Sequence, residues 1–224
     1  MLGLFLAVPA SASAPQGVQA VLTLEQSGQD EAALALAEEL SRRSPPSALA
    51  HLEAARLGLK LGRETTGIEA HLLAARALAP DNPRVRYLAG VAREGVSDDG
   101  AARVLYLEAI SLRSNYADAR SRLVALAIRI HDWPLAETQL RALLAQGERS
   151  AGRRLQLARV LEEGGKAPQA EAVLVALHRE EPTNAAVTTA LADYYERHNR
   201  MKEALALRRT TPAKKLRPLQ PSRR

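Results

Sequence analysis

The sequence predicts an all-α protein built as a solenoid of antiparallel helix pairs. Three observations carry that reading. First, the 224 residues are 46% hydrophobic but only 3% aromatic, so the core is made of Ala, Leu and Val. Second, Ala, Leu, Arg and Glu are strong helix formers, and no alternating strand pattern interrupts them. Third, prolines break the helical text at a regular distance. Pro80 in "ALAPDNPRVRYLAG" (77–90) and Pro182 in "HREEPTNAAVTTALAD" (178–193) stand 102 residues apart, three times 34. A proline lacks an N–H and its ring clashes with the preceding turn. At a fixed multiple it marks the boundary of a repeated unit.

Written at a period of 34, the chain places like residues in columns. One column reads Ala102, Ala136, Ala170, Ala204. Others read Ala89, Leu123, Leu157, Leu191, then Gly90, Val124, Ala158, Ala192, then Tyr106, Leu140, Leu174, Arg208, and Ala109, Leu143, Leu177. A column of turn-compatible residues, Ser97, His131, Gly165, Asn199, falls between helices. Pro46, Pro80 and Pro182 share a column, with Ser114 and Glu148 between them.

Six units follow in order, over about 14–48, 49–82, 83–116, 117–150, 151–184 and 185–210. The unit at 151–184 shows the anatomy. Leu155, Ala158 and Leu161 mark the apolar face of a first helix. Gly164-Gly165 ends it, since glycine tolerates the left-handed conformation of a helix C-terminus. Ala170, Val173, Leu174 and Leu177 mark a second face, and small Ala lets the two backbones approach closely. The first two units hold the register less well: Ile68 stands in the Ala column, and Ala33 implies a slip of one residue. The last unit is short. Its Arg208, in an otherwise apolar column, suits a terminal repeat whose outer face meets water.

This pattern resembles the tetratricopeptide repeat, through "LALAIRIHDWPLAETQL" with Leu123, Trp133, Ala136 and Leu140, and "LADYYERHNRMKEAL" with Leu191, Ala192, Tyr195 and Ala204. The resemblance implies a right-handed superhelical solenoid over 14–209 whose concave groove is lined by the first helix of each unit. It points to Arg84, Tyr87, Ser121, Arg122, Arg159 and Asp193 as protein-binding residues, with Val91, Asp118, Ala125, Leu155 and Thr189 beside them. Some family members clamp chaperone C-terminal carboxylates with Lys and Asn. The matching positions here hold Tyr87, Ser121 and Leu155, and Val91, Ala125 and Arg159, so that clamp is absent. An Asn row is also absent, since Leu88, Arg122, Gln156 and Ala190 occupy it. Bacterial pilus-assembly lipoproteins have similar repeat numbers, but a lipid anchor on Cys needs a residue this chain lacks. Trp133 is expected to pack at the turn, Tyr195 to face the core and Tyr194 to point outward.

The two ends read differently from the repeats. "MLGLFLAVPASASA" has an apolar run followed by small residues, as in a signal peptide over 1–13 cleaved after Ala12, although no basic residue precedes the run. Export to the periplasm or cell envelope is therefore expected, with a cytoplasmic location as the alternative. "TTPAKKLRPLQPSRR" (210–224) has three prolines and five basic residues, no apolar period, and reads as a disordered tail. Residues 185–224 hold ten Lys/Arg against three Asp/Glu, whereas 1–82 hold six against nine. The formal net charge of +6 is thus mostly a property of the C-terminal end.

Signatures of catalysis are missing. The sequence has no GxxxxGK[ST], no GxGxxG after a strand, no GxSxG and no HExxH. The five His residues are dispersed over the repeats without metal-ligand spacing. Asp98-Asp99-Gly100 lacks the further ligands of a calcium loop. No apolar run reaches membrane-spanning length. The sequence predicts a non-enzymatic scaffold, without cofactor or metal, that binds a protein or peptide segment. The alternative is a binder of anionic partners, nucleic acid or membrane surface, through the basic C-terminal end. Few aromatic stacking groups and a groove of mixed sign disfavour nucleic acid.

Overall fold

A computed structural model describes residues 14–210. The expected signal peptide and the basic tail from residue 211 lie outside the described residues; Thr210 closes the last helix. Among the described residues the chain forms twelve α-helices and no strand. They come in pairs: α1 (Ala14–Gln26) with α2 (Asp30–Ser41), α3 (Ala48–Lys60) with α4 (Thr65–Leu78), and α5 (Pro83–Gly95) with α6 (Asp99–Leu112). Then come α7 (Ala117–Arg129) with α8 (Trp133–Ala145), α9 (Ala151–Glu163) with α10 (Ala167–Glu180), and α11 (Ala185–Arg197) with α12 (Met201–Thr210). The architecture is a helical-repeat solenoid.

One local device makes every pair. Gly28, Gly62, Ser97, His131, Gly165 and Asn199 all take φ between 58° and 77°, each just after a first helix. The next residue then donates its N–H to the carbonyl five positions back, at 2.8–2.9 Å, from Gln29 to Leu24 through Arg200 to Tyr195. This closure caps the last carbonyls of a helix and reverses the chain. The turn column of the sequence is therefore a column of left-handed residues, which Ser97 and His131 occupy without glycine's freedom.

The opposite ends are capped by side chains. Ser47, Asn82, Asp98, Asp132, Ser150 and Asn184 each accept an N–H from the first turn of the helix they precede, worth about 1 kcal/mol each. Pro83 is the first residue of α5, where a missing N–H costs nothing because that group has no intrahelical partner.

The slip in the early units has a location. Gly28 to Gly62 is 34 residues, but Ala33 to Ile68 is 35, so the extra residue lies in the α3–α4 turn, at Arg63 or Glu64. Ile68 is thus in register after all, a large residue in the Ala column. Gly58 on the facing helix makes room, since a Cβ there would lie 3.1 Å from the Ile68 Cγ1.

The described chain falls into two compact units, the first running to Leu126 and the second starting at Ala127, within α7. In the first, Val21, Ala33, Leu36, Ala37, Leu40, Ala50, Ala54 and Leu57 form one core cluster across α1, α2 and α3. Leu52, Ala55, Ile68, Leu72, Ala75, Val85, Leu88 and Ala92 form another across α3, α4 and α5. Further along, Tyr106 lies over Gly90, where a Cβ would come within 2.6 Å of the ring.

In the second unit Leu157, Ala158, Leu161, Ala170, Leu174, Leu177, Leu191 and Ala192 are buried. Trp133 packs at the turn as expected: its Cβ would lie 3.1 Å from a Cβ on Gly164. Tyr194 corrects the sequence reading. It is buried with Tyr195, and its hydroxyl donates to the Ala167 carbonyl at 2.8 Å. A helix of a stacked pair is covered on two sides, by its own partner and by the preceding pair, so its buried arc is wider than a single apolar stripe.

The fully buried Ala column sets the helix separation. Ala136→Leu and Ala170→Leu should each cost about 1–3 kcal/mol by overpacking. Urea unfolding measures this; an unchanged midpoint would place the crossings elsewhere.

Candidate functional site

In the first unit a cleft of about 470 Å³ opens on α3, α5 and α7, all first helices of their pairs. Leu59, Leu88 and Val91 give it apolar walls. The rings of Tyr87 and Tyr116 lie 5.3 Å apart at 50°, and Tyr87 also meets Tyr106 at 6.1 Å. Arg56, Lys60, Arg84 and Arg122 reach the lining, with one carboxylate, Asp118. Burial, with Tyr87 and Asp118 adding to it, pushes the Tyr116 hydroxyl up to about 12.

Behind the lining runs an ion network. Arg56 makes two hydrogen bonds to Glu25, at 2.6 and 2.8 Å, and one to Glu53 at 2.8 Å. Arg84 reaches the other Glu53 oxygen at 2.6 Å. Lys60 bridges Glu25 at 3.0 Å and Asp30 at 2.8 Å. Glu53 is buried. The Arg56 hydrogen bonds, against the opposing effect of burial and with help from Lys60, hold the Glu25 carboxyl down at about 2. Arg122 is held more loosely, 3.8 Å from a Glu94 carboxylate that accepts the Tyr106 hydroxyl at 2.6 Å.

In the second unit a cleft of about 590 Å³ opens mainly on the first helices α9 and α11, with Leu174 of α10 also on its lining. Arg197 makes two hydrogen bonds to Glu162, at 2.9 and 2.8 Å, and His198 Nε2 lies 3.2 Å from the same carboxylate. Asp193 accepts from Arg208 at 2.8 Å. Exposed Arg159 lines the cleft beside Glu162, Glu163 and Asp193.

The structure brings Arg84, Tyr87 and Arg122 into one cleft, and Arg159 and Asp193 into another. Ser121 stands half-buried on α7 and is not part of either lining. Sequence reasoning missed Arg56, Lys60, Tyr116 and Arg197. For Arg56 the signal was present: once the extra residue in the α3–α4 turn is allowed for, Arg56 shares a column with Val91, Ala125, Arg159 and Asp193. Tyr116 was hidden because it stands just before α7, where other units carry a capping Ser or Asn.

One pairing has no trace in the sequence spacing. His51 on α3 and His71 on α4 belong to the same pair, and their Nδ1 atoms lie 3.0 Å apart. One ring must donate and the other accept, so the two rings cannot both be protonated. Burial, aided by the neighbouring ring at His51, lowers both pKa values below the usual 6.5. The unfolded chain then binds more protons than the folded one below that value. The stability this pair contributes is present above pH 6.5 and lost as pH falls through the folded values. Glu25 acts in a lower window, its contribution being lost as pH falls from its ordinary 4.5 toward 2. His51→Gln should flatten the pH dependence of unfolding free energy between about pH 7 and 5 and leave the lower window unchanged. Urea titrations at stepped pH give the measurement; an unchanged upper slope would contradict the assignment.

No family model matches this chain, and no curated protein matches its sequence. Solved structures do match. PilF of Pseudomonas aeruginosa superposes with a TM-score of 0.67 at 17% identity, over 87% of this chain and 88% of that one. A tetratricopeptide repeat protein from Parabacteroides merdae gives 0.64 at 15% identity, over 87% and 77%. YrrB, described as a TPR protein with an unusual peptide-binding site, gives 0.60 at 17% identity, over 85% and 89%. The class these likenesses define is the helix-pair repeat fold. The chain has the fold of tetratricopeptide-repeat proteins.

Proposed function

We propose that this chain is a non-enzymatic scaffold that holds a protein or peptide segment against the first helices of its repeats. The observation that carries this reading is the make-up of the first-unit cleft: three consecutive first helices, with Tyr116 just before the third, supply its walls, and it combines apolar side chains, two tyrosine rings and charged groups. Such a mixture suits a polypeptide, which offers apolar and polar side chains in alternation, better than a single small molecule. The peptide-binding site attributed to YrrB lends the reading support by analogy of fold.

A photo-crosslinking amino acid at Val91 and at Thr189, on first helices, should capture one polypeptide in cells. The same group at Leu73, exposed on the second helix α4, should not. Capture from Leu73 alone, or from no position, would overturn the proposal. Capture that disappears when residues 211–224 are deleted would favour the alternative through the basic C-terminal end. We further propose export, on the apolar run and small residues at the N-terminus. The intact mass of protein from the cell envelope should lack the first 12 residues, and full-length protein in the cytoplasm would refute it.

A further inference from the structure

The charged groups of the first-unit cleft are layered. The four cations on its lining keep 25 to 49% of their side-chain surface exposed, whereas the carboxylates that pair with Arg56, Arg84 and Arg122, namely Glu25, Glu53 and Glu94, keep only 3 to 19%. Lys60 and Arg122 are the most exposed of the four, beside the tyrosine pair and Val91, and exposed Asp118 is the one carboxylate on the lining itself. The second-unit cleft has the reverse balance, with two cations and three carboxylates on its lining. The excess of cations on the lining is thus a property of this cleft and not of the repeat.

We infer that the first-unit cleft takes an acidic segment: a stretch of polypeptide in which a Leu- or Phe-like side chain packs on the contacting rings of Tyr87 and Tyr116 while flanking carboxylates reach Arg122 and Lys60. The inference rests on the segment-binding reading above and assigns its chemistry. Arg122, the most exposed of these cations, is engaged by Tyr87 and, at 3.8 Å, by Glu94, which leaves guanidinium N–H groups for an incoming carboxylate. A charge-assisted hydrogen bond to an incoming carboxylate is among the stronger contacts a half-exposed guanidinium can form. A nucleic-acid strand fits less well. It presents a phosphate at every nucleotide, and residues 14–126 carry thirteen Lys/Arg against fourteen Asp/Glu, so a continuous polyanion would be repelled as often as held. Sparse carboxylates separated by apolar side chains avoid that repulsion.

The test is fluorescence anisotropy on the full chain with three labelled probes. One is a short peptide with Glu at alternate positions and Leu and Phe between. The second carries Lys for each Glu, and the third is an oligouridylate. The Glu peptide should bind, and more weakly as salt is raised from about 50 to about 200 mM. Arg122→Ala and Lys60→Ala should each weaken it by about tenfold, with melting curves confirming that both variants fold, and Lys202→Ala on α12 should leave it unchanged. Equal or tighter binding of the Lys peptide would overturn the acidic assignment and leave segment binding standing. Failure of the Glu peptide to bind, indifference to both cleft substitutions, or displacement of the Glu peptide by the oligouridylate would also overturn it. Loss of crosslinks at Val91 and Thr189 is the separate result that removes the segment-binding reading itself.

Discussion

Truncating Tyr106 to Ala should destabilise the first unit by about 3–5 kcal/mol, the range for removing a large aromatic side chain from a core. The ring is fully buried, and its hydroxyl donates to Glu94 at 2.6 Å. Tyr106 fits because Gly90 lies opposite. Gly90→Ala alone should also destabilise, by about 1–3 kcal/mol of overpacking, offset in part by the better helix propensity of Ala, worth about 1 kcal/mol. The two substitutions should not add. Gly90→Ala with Tyr106→Leu recreates the Ala158 and Leu174 combination that α9 and α10 use at the same two columns. The double variant should be more stable than the sum of its single changes predicts, and a double-mutant cycle by urea unfolding reads the difference. Strict additivity would show that ring and glycine are not one packing unit.

Replacing Glu53 with Ala should cost about 3 kcal/mol, the low end for breaking a buried ion pair. The carboxylate is buried and serves two guanidiniums, Arg56 at 2.8 Å and Arg84 at 2.6 Å. The low end applies because Arg56 keeps Glu25 and both arginines are partly exposed. Glu53→Gln keeps the shape and one acceptor, so a smaller loss of about 1–2 kcal/mol is expected. Replacing Glu53 and Arg84 together by Met removes the unpaired charge as well as its partner and should recover much of the loss. A Glu53→Ala variant that unfolds at the wild-type urea concentration would show that the pair contributes nothing.

Much of the repeat was legible because its determinants are local. A period of 34, a small residue at each helix crossing and a turn residue between paired helices are all properties of neighbouring sequence. The left-handed column at Ser97, His131, Gly165 and Asn199 could be located before its φ values were known. The candidate site was legible only at the level of which helices line it. Arg84, Tyr87 and Arg122 were correctly placed on first helices, but their neighbours Arg56 and Lys60 were displaced by the extra turn residue. A one-residue error rotates a helical position by about 100°, enough to move a side chain off the face under consideration. Tyr194 was misread for a related reason. It lies at the edge of the apolar stripe, and only the preceding helix pair turns that edge into an interior.

By itself, the sequence determined the helical-repeat fold, the order and approximate length of the helix pairs, and the turn and alanine columns. Each follows from interactions between residues a few positions apart, repeated often enough to stand out. Tertiary structure alone decided the rest. It joined Glu25 to Arg56 and Glu53 to Arg84, each about thirty residues apart, and brought His51 against His71. It also left Glu25, Glu53 and Glu94 largely covered and the cations that pair with them more exposed. Those outcomes depend on which side chains meet across stacked helices, and a buried charge pair leaves no periodic mark on a sequence, since either partner alone reads as an ordinary solvated residue.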